Sequence, residues 1–357
     1  MTQLDLPRPM PVRSNVTTLL TLCIALLAVS FAPIFIRLSE EELGPNGTVF
    51  NRMLIFSVVF GLGRFLQSYR QAQPDRSTAP NETSSSLLNT EADSIAPDSE
   101  SASASIPGQT QSPSPNDPIT FSQWILLLMV GVVAVTTLVL WAMSLQYTSV
   151  AKSMLLNNLT PVFTTLGGWL FLRQRFGWKF LLGMVVALGG ALALGLEDLG
   201  GADGNLLGDF YALMSAVFLG AYFLVVEQLR YRFSATTILL WRCAIGSCLL
   251  LPLVWFTEGQ LFPTTLSPWL AVIGLGLISE GLGQRLLAES MKSLSSSFIS
   301  IFLLLEPIVS ALLAWAIFAE SLSSTTWVGF AVILSGIYLA KSGPGEQNSE
   351  VHDFAEV

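Results

Sequence analysis

Charge is what this sequence has least of. Lys, Arg, Asp and Glu supply only 12% of the 357 residues, against roughly 25% in a soluble domain, which argues against a water-soluble globular chain. Histidine is almost missing, and the single one, His352, lies in a polar tail. Histidine catalysis, histidine metal centres and histidine proton relays are therefore not expected. Cys23, Cys243 and Cys248 all fall in apolar runs, where a thiol behaves as a small hydrophobe. None has metal-ligand spacing, and no disulfide framework is implied. No HExxH, Gly-x-Ser-x-Gly or Gly-x-x-x-x-Gly-Lys pattern occurs, so neither an enzyme, a metal nor a cofactor is expected. Any energised process would have to draw on an ion or solute gradient. A basic patch to neutralise phosphates is also lacking, which excludes nucleic acid as a partner.

What the chain does have is apolar residues, 52% of the total, gathered in runs of about 20. That is the length at which a helix crosses a hydrocarbon core, and a helix satisfies its own backbone hydrogen bonds there. Ten such runs are predicted: residues 16–36, 48–66, 121–145, 151–172 and 178–196, then 206–227, 235–256, 268–287, 295–317 and 325–340. The fold class expected is an all-α polytopic membrane protein. Basic residues (Arg8, Arg13, Arg64, Arg70, Arg76, Arg173, Arg175, Lys179, Arg230, Arg232, Arg285, Lys292 and Lys341) collect on one side of these runs. Arg37, Arg52, Lys152 and the acidic turns Glu40-Glu41-Glu42 and Glu197-Asp198 fall on the other. Basic flanks stay cytoplasmic, so both termini are expected inside a cell membrane.

Residues 1–15 and 343–357 read as cytoplasmic tails. Residues 71–118 are rich in Ser, Pro, Thr and acids with no periodic apolar face, so they are expected to be a disordered cytoplasmic loop that cannot offset its ordering entropy. The loop separates runs one and two (16–70) from runs three to five (119–200), and residues 201–342 form the second half.

The two halves repeat. Trp141-Ala142-Met143-Ser144 through Thr160-Pro161 aligns without gaps on Leu287-Ala288-Glu289-Ser290 through Glu306-Pro307, and Gly183 and Gly190 fall on Gly329 and Gly336. Five runs per half invert the second half relative to the first, the build of carriers that hold their substrate between repeats. Gly183, Ala187, Ala191 and Gly195 form a small-residue stripe along run five, suited to packing within the chain or to a homodimer face.

A charge inside hydrocarbon costs about 2.5 to 3.5 kcal/mol even on a lenient scale, so each one needs a partner or a cavity. Glu306 precedes Pro307 in run nine and takes the place of Thr160 before Pro161 in run four. Each proline should bend its helix, making Pro161 and Pro307 hinge candidates. Asn157, Thr160 and Thr164 share a face in run four, with Asn158 adjacent; Glu306 and Ser310 share the matching face in run nine. Glu280 lies mid-run with Gln284 one turn on, and its counterpart is Ala134. Arg52 and Arg242 correspond across the repeat, since Phe50-Asn51-Arg52-Met53 resembles Leu240-Trp241-Arg242-Cys243. Each arginine could bind an anionic group or a glutamate, or reach back to the headgroups. The pathway candidates are thus Glu306, Glu280, Gln284, Asn157, Asn158, Thr160, Arg242 and Arg52. Glu227, Arg230, Arg285, Glu289 and Lys152 read as interfacial charges near run ends.

The pattern Tyr147-Thr148-Ser149-Val150-Ala151 … Pro161 … Phe171-Leu172, with its second copy Leu294-Ser295-Ser296-Ser297 … Leu305-Glu306-Pro307 … Phe318-Ala319-Glu320-Ser321-Leu322, resembles the EamA branch of the drug/metabolite transporter superfamily. The resemblance covers all but the tails and residues 71–118. It implies a secondary carrier, often an exporter of amino acids or other small metabolites, with a central cavity lined by both repeats and a proton or another ion as coupling partner. Two features depart from the pattern: Gln174 stands where a glutamate is usual, although Glu320 keeps it in the second copy, and the acidic insertion is atypical. A lipid flippase on the same fold, or a receptor or scaffold working through the acidic loop, are the alternatives.

Overall fold

The computed structural model describes residues 16–72, 121–148, 150–197, 206–318 and 324–342. The tails and residues 73–118 lie outside them, so the expected disorder of the loop is not addressed; Gln71 and Ala72 are helical. The described residues form helices joined by short turns, with no strand among them. We label them α1 (Val16–Ser39), α2 (Pro45–Ala72), α3 (Phe121–Tyr147), α4 (Val150–Asn157 with Thr160–Leu172) and α5 (Trp178–Glu197) in the first half. The second half holds α6 (Leu206–Arg230), α7 (Ala235–Thr257), α8 (Leu266–Ser290), α9 (Ser296–Phe302 with Glu306–Phe318) and α10 (Ser324–Ser342). Each covers one of the ten predicted runs. Seven helices are long and apolar enough to cross a membrane, and Trp178–Leu194 and Trp327–Ser342 are shorter apolar helices. Chain contacts separate Gly63–Pro118 from the rest; of that unit only residues 63–72, the end of α2, are described.

Packing follows the repeat. In the larger unit α3 lies against α6 and α7, α4 against α6, α1 against α8 and α9, and α5 against α10. Helix α4 meets α6 where Gly220 faces Thr164: a Cβ on Gly220 would sit 3.1 Å from the Thr164 nitrogen. Helix α9 meets α1 where Ser310 Oγ donates to the Ser30 carbonyl at 3.0 Å. Ser310 is the repeat counterpart of Thr164, and Ser30 precedes Arg52 by the same 22 residues that separate Gly220 from Arg242. The two contacts are thus one contact made twice, each time between halves.

The small-residue stripe on α5 is occupied within the chain. A Cβ on Gly183 would stand 2.3 Å from the Ala340 nitrogen, and one on Gly336 2.4 Å from the Ala187 nitrogen. Glycine here lets the α5 and α10 backbones touch, with Gly183 and Ala187 of the stripe against Ala340 and Gly336.

Helix ends are tied by carboxylates. Glu258, after α7, accepts from the Asn46 and Gly47 N–H groups at 2.9 and 2.8 Å, which are first-turn donors of α2 with no partner inside the helix. Glu42, after α1, accepts from the Thr264 N–H at 2.6 Å and the Thr264 hydroxyl at 2.9 Å, and also bonds the Thr265 hydroxyl at the start of α8. The Thr265 hydroxyl and the Thr264 amide hold the Glu42 carboxyl down to about 2 from its ordinary 4.5.

Two of the charges at run ends are buried among protein groups. Glu227 and Arg230 are 4% and 6% exposed. Glu227 accepts from the Ser296 N–H at 2.9 Å and from Gln174 Nε2 at 2.7 Å, tying α6 to the start of α9 and to the turn after α4. Arg230 pairs with Glu289 at 2.8 Å and donates to the Ala288 and Phe233 carbonyls at 2.9 and 2.7 Å. Burial is tolerated because nearly every donor and acceptor finds a partner. Lys152, by contrast, remains partly exposed and pairs with Asp209 of α6 at 2.6 Å.

Candidate functional site

Three helices are interrupted near their middles. Helix α1 breaks at Phe31, where a new helix starts with Pro33 in its first turn. Helix α4 breaks at Asn158-Leu159, ahead of Pro161. Helix α9 passes through a tight 3₁₀ turn over Leu303–Leu305 before Glu306 and Pro307. Residues 158–159 and 304–305 are repeat partners, so the bends predicted from the two prolines fall at equivalent positions. The breaks in α1 and α9 lie side by side: Ser30 Oγ reaches the Glu306 carbonyl at 3.5 Å. Proline leaves carbonyls without donors, and irregular backbone at membrane depth survives only where protein or a cavity covers it.

Glu280 is fully buried. Its Oε1 receives Arg242 at 2.6 Å and the Cys243 thiol at 3.4 Å, and its Oε2 lies 3.5 Å from Arg52 Nε. The two repeat-related arginines therefore converge on one carboxylate, Arg52 from α2 and Arg242 from α7. Arg52 also acts electrostatically on Glu306, whose half-buried side chain has no hydrogen-bond or ion-pair partner among the described residues. The Arg242 guanidinium lies over the Tyr222 ring, 5.0 Å from its centre, a cation–π contact.

The cluster is charged out of balance. Without Glu306, two guanidiniums face one carboxylate. It is also short of hydrogen bonds among the described residues: Arg242 Nε has none, and Arg52 Nε and Glu280 Oε2 meet only as an ion pair at 3.5 Å; a buried polar group left without a hydrogen bond costs about 1–3 kcal/mol. Native structures rarely leave these groups open without a reason.

The helix carrying Glu280 is not the α-helix expected from its spacing. Leu275–Gln284 is π-helical, with i→i+5 bonds that are rare outside functional sites. Small residues admit it: Cβ atoms on Gly276 and Gly281 would meet Ile55 at 2.8 Å and Phe60 at 2.9 Å.

Beside the cluster lies a cavity of about 80 Å³, bordered by Arg242, Tyr222, Thr137, Gln284, Leu138 and Ala134 among others. Ala134 is the repeat counterpart of Glu280 and Leu138 that of Gln284, which places the cavity between the halves. A larger recess of about 460 Å³ is edged by Phe35, Leu38, Leu266, Leu270, Ala271 and Ser267. Its lining is apolar apart from Ser267.

Of the sequence-derived candidates, the structure gathers Arg52, Arg242 and Glu280 directly, adds Gln284 through the cavity, and brings Glu306 within the field of Arg52. Asn157, Asn158 and Thr160 stand apart, with no hydrogen bond to this cluster among the described residues. Thr160 donates to the Asn157 carbonyl at 2.6 Å, and Asn157 Oδ1 is buried without a partner. Tyr222, Thr137 and Ser30 escaped the sequence reading. Their signal was faint: a hydroxyl-bearing side chain in mid-helix, away from the headgroup level where tyrosine and serine are common.

This architecture defines an all-helical polytopic membrane protein built from two inverted five-helix repeats. The chain belongs to the EamA-like transporter family, whose profile matches residues 104–196 and 206–341. It is 24% identical over 200 residues to the uncharacterized transporter YetK of Bacillus subtilis, a match covering 54% of this chain and 60% of that relative's length. It is 23% identical over 221 residues to the pseudopaline exporter CntI of Pseudomonas aeruginosa, covering 62% of this chain and 76% of that one. A solved structure titled only "Crystal structure of protein" superposes with a TM-score of 0.67 at 16% identity, over 92% of this chain and 97% of its own; that likeness speaks to the fold.

Proposed function

We propose that this protein is a secondary-active exporter of small organic solutes, working by alternating access between its two repeats with both termini on the cytoplasmic side. The observation that carries the reading is the convergence of Arg52 and Arg242, one from each half, on Glu280 beside a cavity at the repeat interface. A charge network that spans the two halves changes whenever they rock, which makes solute occupancy and conformation one equilibrium. The breaks at Pro161 and Pro307 serve as hinges. Glu306 is the coupling group: ionised, it balances the cluster's excess charge, and protonated, it leaves the cluster positive. Relatives named as transporters and exporters support the class.

The test is flux from reconstituted vesicles. Glu306→Gln fixes the neutral state, so it should abolish the pH dependence of net export while leaving solute exchange. Unchanged net flux and unchanged pH dependence would remove Glu306 from the mechanism.

A further inference from the structure

We propose that the Arg52–Glu280–Arg242 cluster recognises a carboxylate on the exported solute, with Glu280 as a resident carboxylate that the solute's own group displaces from Arg242. This rests on the carrier reading above and names its substrate class.

Arg242 is 6% exposed, borders the cavity, and leaves its Nε without a partner. Glu280 Oε1 engages Arg242 through one nitrogen, Nη1. A guanidinium is a planar fork matched to two carboxylate oxygens at once, and the Nε of this one makes no hydrogen bond among the described residues. Tyr222 covers one face of the guanidinium, which leaves its edge as the approach for an oxygen. With Glu306 protonated, the surplus positive charge disfavours a cationic group and favours an anionic one. Gln284, which also lines the cavity, supplies an amide donor.

Size restricts the ligand further. At roughly 30 Å³ per water, a cavity of about 80 Å³ takes a carboxylate with a water or two, not a metabolite. The body of the solute must enter as the halves separate, and its acid group then remains as the anchor. The π-helical segment Leu275–Gln284 supplies the movement that displacement needs. Relaxing i→i+5 bonds to i→i+4 changes the register by one residue and so shifts Glu280 relative to Arg242. The backbone is already close to that alternative, since α-helix flanks it on both sides.

The experiment is isothermal titration of the full chain in lipid nanodiscs with acetate, benzoate, succinate and glycine, each against its amide. At least one acid should bind roughly tenfold to a hundredfold tighter than its amide, the range of charge-assisted hydrogen bonds. Arg242→Gln should erase that ratio. The neutral pair Arg242→Gln/Glu280→Gln, which leaves one guanidinium without a carboxylate instead of two, should erase it too while melting above Glu280→Gln alone. Acid-to-amide ratios near one across the panel, or a ratio that survives in the neutral pair, overturn the proposal. Counterflow in vesicles separates the two claims. Flux of a neutral or cationic solute that persists in Arg242→Gln would keep the carrier and discard the carboxylate site. Tight acid binding with no flux of any bound acid would do the reverse.

Discussion

The contact between Arg242 and Glu280 makes a sharp energetic prediction. Both groups are buried and their charged atoms are 2.6 Å apart. Removing one partner of a buried pair costs about 3–5 kcal/mol, chiefly because the other charge is left uncompensated. Arg242→Gln leaves Glu280 with Arg52 at 3.5 Å, so its cost should fall near the lower figure. Glu280→Gln strands two guanidiniums and should fall near the upper one. The double substitution removes both charges of the pair and leaves only Arg52 without its carboxylate, so its cost should fall below that of Glu280→Gln alone and well below the sum of the singles. At roughly 2–4 °C per kcal/mol for a chain of 150–250 residues, each single variant should lose several degrees in a thermal melt in detergent. The double variant should recover part of that loss. If the two single effects simply add in the double, Arg242 and Glu280 do not hold each other, and the description of the site fails.

Other consequences are equally open to measurement. Glu42 is depressed to about 2 from 4.5, so its loop clasp should contribute fully above pH 4.5 and fade as the pH falls towards 2. Melting curves of Glu42→Gln should be flatter over that window, although Glu40, pushed up by burial and by Glu258 beside it, titrates in the opposite sense in both proteins. Gly183→Val would force a side chain against the α10 backbone, where even a Cβ sits 2.3 Å from the Ala340 nitrogen; overpacking of this kind costs about 1–3 kcal/mol or more, and an unchanged melt would refute the α5–α10 contact. Gln174→Glu restores the residue usual in the family pattern but sets a second carboxylate 2.7 Å from buried Glu227. It should destabilise the protein more at pH 8 than at pH 5, and an absence of pH dependence would mean that Gln174 and Glu227 do not meet.

Gln174 shows how far the sequence could be followed. Its departure from the family pattern was visible in the letters, but its reason was not. The reason is Glu227, 53 residues on, which already supplies the carboxylate at that junction. The same holds for Arg230, whose partner is Glu289 on another helix.

Hydrocarbon-length apolar runs, the duplicated block and the matched prolines were all written in the chain. Each follows from local rules, because a helix in lipid must satisfy its own backbone and a proline bends whatever helix contains it. The chain also singled out Glu280, Glu306, Arg52 and Arg242, since charges in apolar runs are few and costly. Which of them meet was decided by the packing of α2, α7 and α8, and by a π-helical turn that no residue spacing announced. Partners across separate helices depend on how those helices rotate and cross, and that is fixed by glycines and side chains contributed from the whole bundle at once.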